Sequence, residues 1–224
     1  MIPWEEIDRS EIPGQGGYLT LKKRGAEFSI RTAGTELMSS RRHGSEEALA
    51  EIPLGRIHYK SGLRVLVGGL GMGYTLAAAL GKLAPDARIT VSELIPAVVR
   101  WNRQHLAHLT GSPLKDPRVT VLEEDVADTL RKGKTAWDLI LLDVDNGPQA
   151  LTRETNVRLY GRSGLKTAFS ALRSGGILAV WSSGANDTFT RLLEQCGYQT
   201  ETVSVRARKS GKGGQHTIWI ARKP

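Results

Sequence analysis

Three glycines at alternate positions, Gly69, Gly71 and Gly73, follow an apolar run at residues 65–67, and Glu93 lies twenty residues after the last of them. Glycine lets the backbone turn sharply and approach a ligand where any Cβ would collide. A carboxylate at the end of the next strand can accept hydrogen bonds from both hydroxyls of a ribose. The segment therefore predicts a nucleotide-binding turn between a strand and a helix.

The spacing of these glycines also bears on the type of ligand. The dinucleotide fingerprint GxGxxG would place its third glycine at position 74, where this chain has Tyr74. The GxGxG spacing favours an adenosyl-sulfonium ligand such as S-adenosylmethionine over a nicotinamide cofactor. An ordinary turn between a strand and a helix is the alternative that the glycines alone leave open.

A second polar segment follows the apolar residues 139–142 and contains Asp143, Asp145 and Asn146 before Gly147-Pro148. Charges at the end of a buried strand need partners or water. A carboxylate aimed at an amine can bind the ammonium and then accept its proton. We predict that Asp143 is a general base, with Asp145 as its rival, and that Asn146 contacts the substrate. The alternative is an ordinary polar turn.

Residues at other predicted strand ends complete the expected site. Leu94, directly after Glu93, could cover one face of an adenine. Asp125 could accept a hydrogen bond from the exocyclic amine of adenine or cap the helix that begins at Val126, and we also assign Val126 to the nucleoside site. Trp181 either packs in the core or stacks on the substrate.

The elements that position these residues follow a regular alternation from residue 63 onward. Several strands are continuously apolar, as in a parallel sheet that is buried on both faces. Repeated strand–helix–strand units predict an α/β fold: a doubly wound, mostly parallel, Rossmann-like sheet of the class I methyltransferase type. The predicted strands cover 64–68, 88–93, 118–123, 138–143 and 176–182, and an antiparallel pair covers 201–206 and 216–221. The predicted helices cover 73–83, 96–109, 126–132, about 157–173, and 186–196.

The first 60 residues have a different pattern. Residues 16–22 and 27–31 alternate apolar and polar side chains around Gly25, which predicts a β-hairpin. Residues 35–38 are a candidate third strand, and a helix is expected to begin near Ser45. We therefore divide the chain into an N-terminal appendage, 1–60, and an α/β domain, 61–224. The hairpin has more apolar side chains than a two-stranded unit can bury, so it needs the large sheet or a second subunit as a partner. Its apolar side chains are Leu19, Leu21, Phe28 and Ile30.

Composition narrows the class of protein. The chain has 224 residues, 40% of them hydrophobic, a formal charge of +8 and one cysteine, Cys196. We expect a cytoplasmic globular protein, because the chain shows neither a secretory signal nor an apolar run long enough to span a membrane. The positive charge is compatible with nucleic-acid binding, but the sequence lacks the signature of a nucleic-acid module, so this partner is less favoured.

Residues 63–183 resemble the spermidine/spermine synthase family of polyamine aminopropyltransferases. The resemblance rests on the glycine turn, Glu93 with its helix, Glu124-Asp125 and the strand that ends at Asp143. It also includes the segments 116–119 and 175–178, and the small β region that precedes the sheet. It implies transfer of an aminopropyl group from decarboxylated S-adenosylmethionine to a small amine without a metal, and a homodimer that forms through the N-terminal region. By the same resemblance Asp143 would be the base, and Glu93 and Asp125 would contact ribose and adenine.

Three positions depart from the family pattern. Met72 replaces an aspartate that usually helps to hold the diamine, and Ser45-Glu46-Glu47 is the nearest match to a Tyr-His-Glu segment. The loop at 143–148 differs from the usual Asp-x-x-Asp-Pro. Two alternatives to aminopropyl transfer therefore stay open: an S-adenosylmethionine-dependent methyltransferase acting on a small molecule or RNA, and a non-catalytic nucleoside-binding relative.

Overall fold

The computed structural model describes residues 2–13, 16–58, 61–144, 147–150, 158–207 and 214–224 of the chain. Its strands form two sheets, one of four and one of seven strands. The four-stranded sheet is antiparallel, in the order β1-β2-β3-β4, and contains β1 (Glu5–Glu11), β2 (Tyr18–Arg24), β3 (Glu27–Thr32) and β4 (Thr35–Ser39).

The seven-stranded sheet begins after helix α1 (Gly44–Leu54) and contains β5 (Arg64–Gly68), β6 (Arg88–Ser92), β7 (Val119–Leu122), β8 (Trp137–Leu142), β9 (Leu172–Ser182), β10 (Gln199–Arg206) and β11 (Gln215–Arg222). The strand order is β10-β11-β9-β8-β5-β6-β7. Strands β5 to β9 pair in parallel, and β11 lies antiparallel between β9 and β10. The predicted fold class, a mostly parallel α/β sheet, is therefore confirmed.

The helices that connect these strands are α2 (Tyr74–Lys82), α3 (Pro96–Gln104), α4 (Val126–Lys132), α5 (Arg162–Ala171) and α6 (Asp187–Gln195). The helix predicted at 96–109 ends at Gln104 and is followed by a short 3₁₀ turn, Ala107–Leu109. Strand β9 begins at Leu172, four residues earlier than predicted, because a register irregularity in its pairing with β8 accommodates the extra residues. None of the described helices is both long enough and apolar enough to cross a membrane.

The N-terminal region has a strand that the sequence pattern did not reveal. β1 pairs antiparallel with β2 at the edge of the small sheet, and its side chains are largely polar and exposed, so they lack the apolar alternation that predicts a strand. Asp8 fixes this strand to α3: its Oδ2 accepts hydrogen bonds from Arg100 Nη2 at 2.8 Å and Trp101 Nε1 at 2.7 Å. The pKa of Asp8 is lowered to about 2, chiefly by these two hydrogen bonds.

The apolar side chains of the predicted hairpin are buried within the single chain. Leu21 and Ile30 are 0% and 1% exposed, and they belong to a core cluster that also contains Leu49 of α1 and Val65 of β5. The large sheet and its helices thus supply the partner that the hairpin needs. Burial of the hairpin no longer requires a second subunit, and the homodimer stays a prediction.

Candidate active site

The glycine turn (residues 69–73) lies at the carboxyl edge of the large sheet, where ligands bind in folds of this kind. Gly69, Gly71 and Gly73 all have positive φ, at 88°, 53° and 85°. A Cβ at Gly69 would lie 2.3 Å from the main-chain oxygen of Asp143, so only glycine fits there. The predicted turn is present, and its binding of a nucleoside stays a prediction.

Glu93 is held beside the glycine turn by the backbone. Its side chain is 7% exposed, Oε2 accepts a hydrogen bond from the Leu70 N–H at 2.8 Å, and Oε1 accepts one from the Ile95 N–H at 2.9 Å. A carboxylate oxygen can accept a further hydrogen bond. These two backbone hydrogen bonds fix the orientation of the side chain, and its contact with ribose hydroxyls stays a prediction.

The neighbouring strand ends provide an apolar and a polar contact. Leu94 is 37% exposed although it is large and apolar, and its contact with an adenine stays a prediction. Asp125 Oδ1 caps α4 by accepting the Ala127 N–H at 2.8 Å, so the capping alternative is observed, while its adenine contact stays a prediction. The side chain of Val126 is buried beside Gly68. The carboxylate of Glu124 accepts hydrogen bonds from Thr129 and Lys132, so Asp125 is the better candidate for the adenine contact.

Asp143 directly follows the carboxyl end of β8. Its side chain is partly buried, and its Oδ2 lies 2.7 Å from Thr75 Oγ1, the hydroxyl of the second residue of α2. Burial raises the pKa of Asp143 to about 6, although the hydrogen bond from Thr75 acts in the opposite direction. A carboxyl group with such a pKa can both lose and accept a proton near neutral pH.

Glu46 of α1 stands close enough to Asp143 for the two charges to interact. Burial and, after it, the charge of Asp143 raise the pKa of Glu46 to about 7. The hydroxyl of Thr75 also lies 3.1 Å from the main-chain oxygen of Glu46. We call Glu46 and Asp143 the carboxylate pair. Two such groups resist simultaneous ionisation, so an ammonium is a fitting ligand for them.

Glu46 is a site candidate that the sequence pattern does not predict. The only signal was the imperfect match of residues 45–47 to the Tyr-His-Glu segment of the family. Tyr74, at the position of the third glycine in the dinucleotide fingerprint, stacks its ring on that of His43, with centroids 4.0 Å apart. Burial and then the charges of Glu46 and Glu47 raise the pKa of Tyr74 to about 12, so it stays a neutral hydroxyl donor.

Side chains from the end of the large sheet also reach this region. His216 of β11 lies with Nδ1 2.8 Å from Ser45 Oγ, and its ring meets the Trp181 ring edge-on at 4.8 Å. Trp181 is partly buried and packs against the core, yet its indole nitrogen has no hydrogen-bond partner within the described residues. The structure thus supports packing of Trp181 in the core and leaves its substrate contact a prediction.

Met72, inside the glycine turn, is 3% exposed and belongs to the apolar core. The sulfur of Met38, from β4, lies 2.9 Å from the position that a Cβ on Gly71 would occupy. The N-terminal sheet therefore packs directly against the turn. At the position where the family usually has an aspartate, this chain therefore has an apolar side chain, that of Met72.

Two predicted residues, Asp145 and Asn146, lie outside the described residues. Among the residues that the structure describes, no group of three or more His, Cys, Asp or Glu side chains is arranged to hold a metal ion.

Sequence comparisons relate the chain to polyamine aminopropyltransferases. It is 34% identical over 122 residues to the polyamine aminopropyltransferase of Corynebacterium efficiens, covering 53% of this chain and 23% of that protein. It is 32% identical over 120 residues to polyamine aminopropyltransferase 2 of Pseudomonas aeruginosa, covering 52% of this chain and 32% of that protein. The chain therefore matches about a quarter to a third of the length of these relatives.

Solved structures share the fold over nearly the whole chain. A spermidine synthase from Thermotoga maritima has a TM-score of 0.76 at 18% identity, covering 98% of this chain and 73% of that one. A spermidine synthase in complex with the transition-state analogue AdoDATO also has a TM-score of 0.76, at 17% identity, covering 98% of this chain and 72% of that one. At these identities the similarity establishes the fold.

The family is established by a sequence profile described as the spermine/spermidine synthase domain, which matches residues 42–193. This match includes Glu46, the glycine turn, Glu93 and Asp143. The chain belongs to the spermine/spermidine synthase domain family.

Proposed function

We propose that this chain transfers an aminopropyl group from decarboxylated S-adenosylmethionine to a small amine. The observation that carries the proposal is the carboxylate pair beside the glycine turn: Asp143 follows β8, and its main-chain oxygen abuts Gly69. The names of the relatives and the bound analogue of the structural neighbour support the same reaction.

The donor side of the proposed site consists of the glycine turn, Glu93, Leu94, Asp125 and Val126. Glu93 would accept hydrogen bonds from the ribose, Leu94 would cover the adenine, and Asp125 would accept the adenine amine. This arrangement serves any adenosyl-sulfonium donor. The donor side alone therefore does not discriminate between S-adenosylmethionine and its decarboxylated form.

The acceptor side consists of the carboxylate pair and the side chains that hold it. An alkyl amine enters as an ammonium, since its pKa resembles that of lysine, near 10.4. It must lose a proton to a carboxylate before its lone pair can attack the carbon next to the sulfonium. The new N–C bond forms as the C–S bond breaks, and sulfur keeps the electron pair. The products are methylthioadenosine, a secondary ammonium and one proton.

Asp143 is the proposed base. Its raised pKa, about 6, makes it a better proton acceptor than an ordinary aspartate, while leaving most molecules ionised at neutral pH. Glu46, the second carboxylate, would hold the ammonium against Asp143. We also propose substrate contacts by Asn146 and Trp181, with Asp145 as the alternative base.

To test this proposal, purified protein is incubated with decarboxylated S-adenosylmethionine and a panel of monoamines, diamines and polyamines. Release of methylthioadenosine that depends on the amine is the expected result. The matched reaction uses S-adenosylmethionine as donor. S-adenosylhomocysteine formed from that donor, with no methylthioadenosine from the other, would establish the methyltransferase alternative. Binding of methylthioadenosine without turnover of either donor would point to the non-catalytic alternative.

Two wider expectations rest on the resemblance and on composition. We propose a homodimer and a cytoplasmic location for the protein. Sedimentation at micromolar concentration would contradict the first with a monomeric mass, and cell fractionation checks the second.

A further inference from the structure

One proton per turnover has to leave the proposed site, and this requirement draws attention to what lies behind Glu46. Ser45 is fully buried, and its Oγ donates a hydrogen bond to Glu46 Oε2 at 2.6 Å. The same Oγ lies 2.8 Å from Nδ1 of His216, on β11. These contacts form an unbroken chain of hydrogen bonds from one member of the carboxylate pair to a partly exposed imidazole.

The position of Ser45 makes this arrangement unusual. A serine at the start of a helix commonly caps it by accepting a backbone N–H. Ser45 is the second residue of α1, and the helix has no side-chain hydrogen bond from its capping position, His43. The hydroxyl of Ser45 is used instead to connect two ionisable side chains that are 170 positions apart in the sequence, Glu46 and His216.

We propose that Glu46, Ser45 and His216 form a proton relay through which the proton taken from the acceptor amine leaves the site. This inference rests on the proposed function. Asp143 takes the proton from the ammonium and passes it to the neighbouring carboxylate of Glu46. Glu46 then donates to Ser45 Oγ, the hydroxyl donates its own proton to His216 Nδ1, and the ring releases the proton on Nε2. Each group returns to its starting charge, and the imidazole is left with its proton on Nδ1.

The surroundings of His216 suit a proton acceptor. Among the described residues, His216 lies near the charge of Arg42, from the loop before α1, and contacts Ser45 Oγ of α1 and the Trp181 ring of β9. Burial and the charge of Arg42 lower the pKa of His216 below its usual range. The imidazole is therefore neutral at neutral pH and can accept a proton from the hydroxyl.

Relay variants should lose turnover with little loss of substrate binding. We expect Ser45→Ala and His216→Ala each to lower kcat about tenfold or more, with KM for both substrates changed less than twofold. Added imidazole should restore kcat of His216→Ala but not of Ser45→Ala. Thr217→Val is the matched control, because neighbouring residues of a strand point to opposite faces and its side chain lies outside the chain of contacts.

Nuclear magnetic resonance of the unliganded protein tests the connection independently of activity. The ¹⁵N shifts of His216 should follow the ionisation of Glu46 near pH 7, and Ser45→Ala should abolish that response. Unresponsive shifts in the unmodified chain, or full kcat in both relay variants of an active enzyme, would overturn the relay alone. An unmodified protein that releases no methylthioadenosine with any amine contradicts the proposed function, and the relay with it.

Discussion

The donor side and the acceptor side that we propose for this site are assembled in different ways. The donor side comes from consecutive strand ends between residues 69 and 126, and its key carboxylate, Glu93, is fixed by two backbone N–H groups. The acceptor side joins residues far apart in the sequence: Glu46 from the N-terminal region, Asp143 from the middle and His216 from the last strand. The proposed nucleoside pocket is thus formed by neighbouring strand ends alone. The proposed amine pocket requires the complete fold, from the first helix to the last strand.

The strongest way to break this division is Asp143→Asn. The amide keeps the shape and can still accept the hydrogen bond from Thr75. We expect turnover to fall by about 10²–10⁴, the usual contribution of positioned proton transfer. Methylthioadenosine affinity, measured by calorimetry, should hardly change. Asp145→Asn is the companion variant, and loss of turnover in it alone would transfer the role of base to Asp145.

The converse change acts on the donor side. Glu93→Ala should weaken methylthioadenosine binding by roughly 1.5–3 kcal/mol, the scale of hydrogen bonds to a charged group. Glu124→Ala is the matched control, because Glu124 is a carboxylate at the next strand end that is bound to Lys132. Equal affinities in the two variants would remove Glu93 from the donor side.

Stability should depend on pH through the carboxylate pair. Both pKa values are raised in the folded protein, so the folded state binds more protons than the unfolded state between about pH 4 and 7. The free energy of unfolding should therefore fall as pH rises through that window. Glu46→Gln should remove on the order of 1 kcal/mol of this fall, as measured by urea unfolding at pH 5 and pH 8. Parallel pH profiles for the two proteins would show that folding does not raise the pKa of Glu46.

The last and most local effect is expected at Asp125. Asp125→Ala removes the cap of α4 and should lower the free energy of unfolding by about 1 kcal/mol. If Asp125 also accepts the adenine amine, the variant should lose its preference for adenosine over inosine ligands. A preference that persists would leave Asp125 as a cap alone.

The residues of the proposed donor side could be predicted from the sequence better than those of the proposed acceptor side. The alternation from residue 63 and the glycine spacing revealed the sheet and the turn, because both are short-range patterns. Strand β1 escaped prediction because it is polar, and it is held by pairing with β2 and by the distant partners of Asp8. Glu46 and His216 were not predicted for a related reason: only folding brings Glu46 near Asp143 and His216 near Ser45, and no local spacing records either approach. The division at residue 60 places Glu46 in the N-terminal appendage, and this division stays a prediction.

The contact of Gly69 with the main chain of Asp143 has a consequence for how this protein can evolve. A side chain at position 69 would displace the glycine turn and Asp143 together, so one mutation would disturb both sides of the proposed site. Substitutions at Ser45 or His216 would not displace the glycine turn, because the contacts of these residues are with Glu46, with Trp181 and with each other. We therefore expect relatives with a different amine substrate to keep the glycine turn. Their substitutions should lie in α1 and β11.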